Sequence, residues 1–169
     1  RAPYFDYNAM WDSFEFLVGR VDGFPLHMGF EVNIAMLWEL GYEWVDHLAF
    51  DDTDEFLLEL QTNATREDFR RYERAIFEIQ GRGYQVIIAH PERYHAIQED
   101  MSLAEDLVRM GCVLQASADF IAGGRLGREK KPAKRMMKEG LYTYIASDAH
   151  HPQHYQFLAE AHMKYGDQL

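Results

Sequence analysis

Four apolar runs in the sequence end on, or lead straight into, a carboxylate or an imidazole. Glu31 stands in G-F-E-V and Glu59 in F-L-L-E-L; His90 follows V-I-I-A, and Asp148 and His150 follow Y-I-A-S. A buried strand does not need such residues at its tip, because Gly, Asn or Asp supplies turn chemistry. Carboxylates and imidazoles crowded on one rim repel or titrate unless something positive lies between them. A mixed nitrogen and oxygen donor set suits zinc, manganese or iron better than calcium. Glu31, Glu59, His90, Asp148 and His150 are therefore expected as metal ligands. Each alone has an ordinary reading, as a loop histidine or a solvent-facing glutamate, and only their joint placement carries the expectation. Arg93 lies one turn beyond His90, where its planar fork can hold two phosphate oxygens. Its ordinary reading is a brace for the loop, paired with Glu92, Asp100 or another nearby carboxylate. His151 and His154 follow the D-x-H run closely enough to reach a substrate above Asp148; a surface role fits them equally.

The elements that must position these residues alternate between strand and helix. A helix beginning near Asn8 carries Trp11, Phe14, Leu17 and Val18 on one face. Strands are expected at Leu26 to Val32, Trp44 to Phe50, Phe56 to Leu60, Tyr84 to Ala89, Cys112 to Ala116 and Tyr142 to Ala146. Thr65 starts a helix with Phe69, Tyr72, Ile76 and Ile79 at helical spacing, which Gly81 and Gly83 stop. Ser102 and Glu105 form an S-x-x-E capping box for a helix ending at Gly111. A basic helix runs from about Arg128 to Glu139, and a last one to about Tyr165. Several strands are apolar on both faces, which marks a parallel sheet covered by helices. Sites in such folds are built at the C-terminal edge of the sheet, where the expected ligands fall. Whether the sheet is open or closed into a barrel is not decided at this level.

Composition narrows the classes. The chain has 169 residues, 47% of them hydrophobic and 14% aromatic, enough for one domain with a real core. A net charge of -11 disfavours nucleic acid, whose binding rests on neutralising phosphates. No stretch is long and apolar enough to insert in a membrane, and no charged-then-apolar leader opens the sequence. The single Cys112 excludes an internal disulfide and makes the reducing cytoplasm the expected location. Starting at Arg1 rather than Met, the chain is expected to be part of something longer. Self-association is left open.

Other chemistries fit poorly. A cysteine phosphatase needs an Arg six positions after its thiolate, and Ala118 stands there; Cys112 reads as an inert core thiol. No G-x-S-x-G elbow or P-loop is present. G-G-R-L-G at 123–127 reads as a plain turn. Arg125, Arg128, Lys130, Lys131, Lys134, Arg135 and Lys138 crowd one segment of an acidic chain. A solvated helix face is the ordinary reading, and a docking face for an acidic or phosphorylated peptide the functional one.

Taken together, H-P-E-R-Y, G-F-E-V, L-L-E-L and I-A-S-D-A-H resemble the PHP (polymerase and histidinol phosphatase) superfamily. The likeness is greatest to its branch of bacterial protein-tyrosine phosphatases that control capsule and exopolysaccharide synthesis. It runs from about Arg1 to Gly166. The resemblance implies a distorted β/α barrel, seven-stranded in the family, with up to three divalent metal ions at its C-terminal rim. Manganese is the implied ion, with iron and zinc as alternatives. Glu31, Glu59, His90, Asp148 and His150 match the family's ligands, and Arg93 its phosphate-binding arginine. The implied reaction is attack of metal-activated hydroxide on phosphorus, with a phosphotyrosine protein as substrate, a kinase that drives polysaccharide export. A small phosphate ester such as histidinol phosphate is the alternative substrate, and a catalytically inactive binding module the alternative class. Two parts of the family pattern are absent. An H-x-H strand, an Asp-rich loop and a further ligand His precede the position of Arg1, so residues 1–169 are expected as a single PHP-like domain, N-terminally incomplete and lacking its first strand. An Arg often found shortly after D-x-H is replaced by H-P-Q-H-Y, with His151 or His154 as substitutes.

Overall fold

The structure, a computed structural model, describes residues 6–122 and 127–169. Arg125 and most of the G-G-R-L-G loop lie outside the described residues. Five strands form one parallel sheet in the order β1-β2-β3-β4-β5: β1 (Val32–Asn33), β2 (Glu55–Glu59), β3 (Gln85–Ala89), β4 (Val113–Ser117) and β5 (Tyr144–Ala146). The register sets Leu58 opposite Val32 and Ile88, Ile88 opposite Leu114, and Ala116 opposite Ile145. Side chains alternate across the sheet. Phe56, Leu58, Val86, Ile88, Leu114, Ala116 and Ile145 join the main core, together with residues from the crossover helices. Burying each large one contributes roughly 1.5–3 kcal/mol.

The other face carries a small cluster of Leu57, Ile87 and Ala89, with Phe50 and Val113 against it. A Cβ at Gly29 would run into the Phe50 ring, so glycine is needed where the chain passes Phe50. Across this same face the Tyr144 hydroxyl donates to Glu55 Oε1 at 2.8 Å. Their strands, β5 and β2, are separated by two others, about 14 Å at ordinary strand spacing. A flat sheet would not let those side chains meet, so the sheet curls around its inner face.

Helix α4 (Arg66–Gly81) starts where Thr65 and Asp68 cap it reciprocally, Asp68 accepting from the Thr65 backbone N–H and hydroxyl. It buries Phe69, Tyr72, Ile76 and Ile79 and is followed by Gly83 at φ 98°, a left-handed turn that favours glycine. Helices α6 (Ser102–Arg109), α8 (Lys130–Lys138) and α9 (His154–Tyr165) occupy the expected segments. The box at the start of α6 is different from the expected one. Asp100, not Ser102, supplies the accepting side chain, taking the Ser102 N–H and hydroxyl. Helix α1 (Tyr7–Val18) is capped by Asp6 rather than Asn8, and its apolar face is not buried.

Two expected strands are corrected. Of Leu26 to Val32, only Val32 pairs, in β1; the rest meets the chain through isolated bonds such as Asp51 N–H to the Met28 carbonyl. Trp44 to Phe50 is a 3-10 turn (Tyr42–Trp44) and helix α3 (Val45–Leu48). Its buried residues, Val45 and Leu48, are three apart, a helical spacing. Short helices α2 (Ile34–Leu40), α5 (His95–Glu99) and α7 (Ala118–Ala122) were not expected.

Candidate metal centre

Because all five strands are parallel, their C-terminal ends share one edge. Glu31 precedes β1, Glu59 ends β2, His90 follows β3, and Asp148 and His150 follow β5. His90 is 2% exposed, and its Nε2 lies 2.9 Å from Glu31 Oε1 and 3.7 Å from Glu59 Oε1. Donor atoms of the three residues all fall within 4.8 Å of one another. Glu31 lies just before β1 and His90 just after β3, on either side of β2, so both reach across the Glu59 tip.

The H-P-E-R-Y stretch explains how His90 is held. His90 itself takes a left-handed backbone, φ 31°, and its N–H donates to the Gln115 carbonyl of β4. Pro91 then opens a 3-10 turn, Pro91–Arg93, where a missing N–H costs nothing. Glu92 turns inward and is fully buried, accepting from Ser117 N–H at 2.8 Å and from the Tyr142 hydroxyl at 2.7 Å. Burial pushes its carboxyl up to about 6, against the pull of these donors. Tyr94 is buried too; its hydroxyl donates to the Ala89 carbonyl at 2.6 Å and accepts from Leu60 N–H at 2.9 Å. The turn is thus tied to β2, β3 and β4 at once. Asn33 does similar work for Glu59: its Nδ2 donates to Glu59 Oε2 at 2.9 Å while its Oδ1 caps α2. Sequence reasoning missed these supporting roles for Asn33, Glu92 and Tyr94. The one available signal was a polar residue beside each strand tip, which reads equally as turn chemistry.

The charges in the cluster are coupled. The hydrogen bond from His90 holds the Glu31 carboxyl below its usual range, with burial opposing it. Burial pushes the His90 ring down, but the Glu31 hydrogen bond and the surrounding carboxylates carry it above its usual value overall. The carboxylates favour a positive charge in their midst, and a proton on His90 is one way to supply it.

Asp148 and His150 stand on the same edge as a second group. Asp148 also has a left-handed backbone, φ 45°; one of its oxygens lies 3.4 Å from His150 Nε2 and the other 3.6 Å from Arg93. Two left-handed non-glycine residues at strand tips store strain of roughly 1–3 kcal/mol each, a cost concentrated at functional sites. The charge of His150 helps to lower Glu31, which links the two groups electrostatically. Arg93 pairs with neither Glu92, which is in the core, nor Asp100, which pairs with Arg66. His154 Nδ1 accepts from His150 N–H at 3.2 Å and so braces the D-x-H loop. His151 is exposed, its ring edge-on to His154 at 5.6 Å.

Tyrosine-protein phosphatase YwqE of Bacillus subtilis is 33% identical over 129 residues, covering 75% of this chain and 49% of that protein. Tyrosine-protein phosphatase CpsB of Streptococcus agalactiae is 33% identical over 86 residues, 47% of this chain and 35% of that one. The chain thus spans about half the length of YwqE. Crystal structures of YwqE and of CpsB from Streptococcus pneumoniae, described as metal-dependent tyrosine phosphatases, provide a match with a TM-score of 0.74 and 26% identity. It covers 95% of this chain and 66% of that one. The sequence profile described as capsular polysaccharide synthesis, CpsB/CapC, matches residues 20–164, and the chain therefore belongs to the CpsB/CapC family.

Proposed function

We propose that this chain carries a metal-dependent protein-tyrosine phosphatase of the PHP type, acting in the cytoplasm on a kinase of polysaccharide export. The observation that carries the reading is the convergence of Glu31, Glu59 and His90 on the sheet's C-terminal edge. Ligands about 2.1 Å from one ion lie roughly 3–4.2 Å apart, so the 2.9 and 3.7 Å separations need little adjustment to fit. The set is one imidazole and two carboxylates, which suits manganese, iron or zinc; manganese is the proposed ion. Asp148 and His150 complete the proposed ligand set. The curled sheet, with Leu57, Ile87 and Ala89 buried on one face beside Phe50 and Val113, supports a distorted β/α barrel, with residues 1–169 as one domain of it.

A bound divalent ion would supply a water nucleophile at neutral pH and offset phosphate charge. The chain's own residues do the rest. Asn33 keeps Glu59 oriented, and the buried Glu92 and Tyr94 anchors hold His90 and Arg93 on a rigid turn. Arg93 offers its fork to the non-bridging phosphate oxygens, exchanging its Asp148 partner for substrate. His154 holds the Asp148–His150 loop in register, and His151 stands at the substrate's approach. The test is hydrolysis of a phosphotyrosine peptide by the full-length protein, with metal content measured on the same sample. Activity that a chelator abolishes and manganese restores is expected. Chelator-resistant hydrolysis, or none at any metal loading, would overturn the reading.

A further inference from the structure

The basic segment forms one wall of a groove against helix α5. The groove, about 400 Å³, lies between α5 and the start of α8, with Pro132 in its lining. His95 and Gln98 line it from α5, and Arg128 and Lys131 from the other side. A second, smaller hollow shares Gln98, Lys131 and Pro132 with it and reaches Arg135, one turn further along α8. Glu99 is the carboxylate in the groove's lining. Arg135 is held by Glu139, whereas Arg128 and Lys131 are exposed and have no carboxylate partner among the described residues. In a chain of net charge -11, such uncompensated cations stand out. The groove also has a definite address. His95 lies two residues beyond Arg93, and α8 packs against the Pro91–Arg93 turn.

We propose that this groove binds an acidic segment of the substrate protein, its carboxylates or further phosphates flanking the phosphorylated residue. Charge complementarity selects the occupant: separate cations along a groove match an extended chain carrying repeated negative charge. The packing of α8 against the Pro91–Arg93 turn suits a peptide whose phosphate is at the rim. The idea rests on the phosphatase reading for the phosphate, and on the groove alone for the flanks.

The test compares Arg128→Glu/Lys131→Glu with Lys134→Glu/Lys138→Glu, which makes the same charge change on exposed positions of α8 outside the groove lining. In the full-length protein, fluorescence anisotropy measures binding of a labelled acidic peptide with Phe in place of the phosphotyrosine. At low ionic strength the groove variant should bind roughly tenfold more weakly than wild type, the control variant should not, and the difference should contract near physiological salt. In the phosphatase assay, the preference for acid-flanked over neutral-flanked phosphotyrosine peptides should fall by a similar factor. Equal weakening in both variants, or none in either, would overturn the proposal. So would loss of binding to phosphatidylserine vesicles with peptide binding intact, which would mark a lipid surface. Absence of hydrolysis with peptide binding intact and groove-dependent would sink the phosphatase reading and leave the groove standing.

Discussion

At the scale of single residues, roles separate by what each substitution can remove. Arg93 contributes a two-point fork, so Arg93→Lys should not be conservative: it keeps the charge and loses the geometry. Losing a charge-assisted donor to the transition state costs about 3 kcal/mol, on the order of a hundredfold in kcat/KM. Metal content should stay constant. If Arg93 only braces Asp148, lysine would preserve the rate, and Arg93→Ala would lower the melting temperature alone. Asn33 is separable in the same way. Asn33→Ser keeps a good helix cap but loses the donation to Glu59. Calorimetric titration of the metal-free protein should then show affinity for Mn²⁺ lowered about 10–100-fold with stability nearly kept. An unchanged affinity would mean that Glu59 is no ligand or needs no orientation.

At the scale of elements, the turn after β3 is the piece on which the site depends. Tyr94→Phe removes one hydroxyl and leaves both the Ala89 carbonyl and the Leu60 N–H without their partner in the core. Unsatisfied buried groups cost about 1–3 kcal/mol each, so urea unfolding should show a loss of roughly 2–4 kcal/mol. A loss under 0.5 kcal/mol would show that the turn is held by packing alone. The legibility of elements followed the same logic. Helix α4 was readable because its cap, its stripe and its stop lie within one stretch of chain. Leu26 to Val32 was overread, because apolar alternation cannot reveal whether a neighbouring strand offers a ladder. Trp44 to Phe50 is largely helical rather than extended because its buried residues, Val45 and Leu48, are spaced for a helix face.

At the scale of the whole molecule, the core decides which groups stay out of the chemistry. Cys112 is buried, and burial pushes its thiol up to about 12. Its pKa is raised in the folded state, so the folded chain holds the proton more tightly than the unfolded one. That contribution to stability is present below the ordinary thiol range and is lost as pH rises from about 9 through 12. At pH 8 its thiolate fraction is about a thousandfold below that of a thiol titrating near 9. Iodoacetamide should leave the native protein unmodified at pH 8 and label it once urea unfolds it. Cys112→Ser should retain activity in the full-length protein. Labelling of the native state, or lost activity in the serine variant with the melting temperature unchanged, would restore a thiol mechanism.

The sequence by itself determined the alternation of strands and helices, the parallel sheet, and the family through its short motifs. It also determined that Glu59 and His90 stand at strand ends, because that depends on local apolar runs and their breaks, whereas Glu31, expected at the end of a strand from Leu26, precedes β1 instead. Only the tertiary structure decided which of those residues meet. The contact between Glu31 and His90, 59 positions apart, is set by the pairing of β1 and β3 on either side of β2. The pairing of Arg93 with Asp148 and the burial of Glu92 depend on β5 and on Tyr142. Curl comes from the summed twist and packing of five strands, which no window of sequence contains.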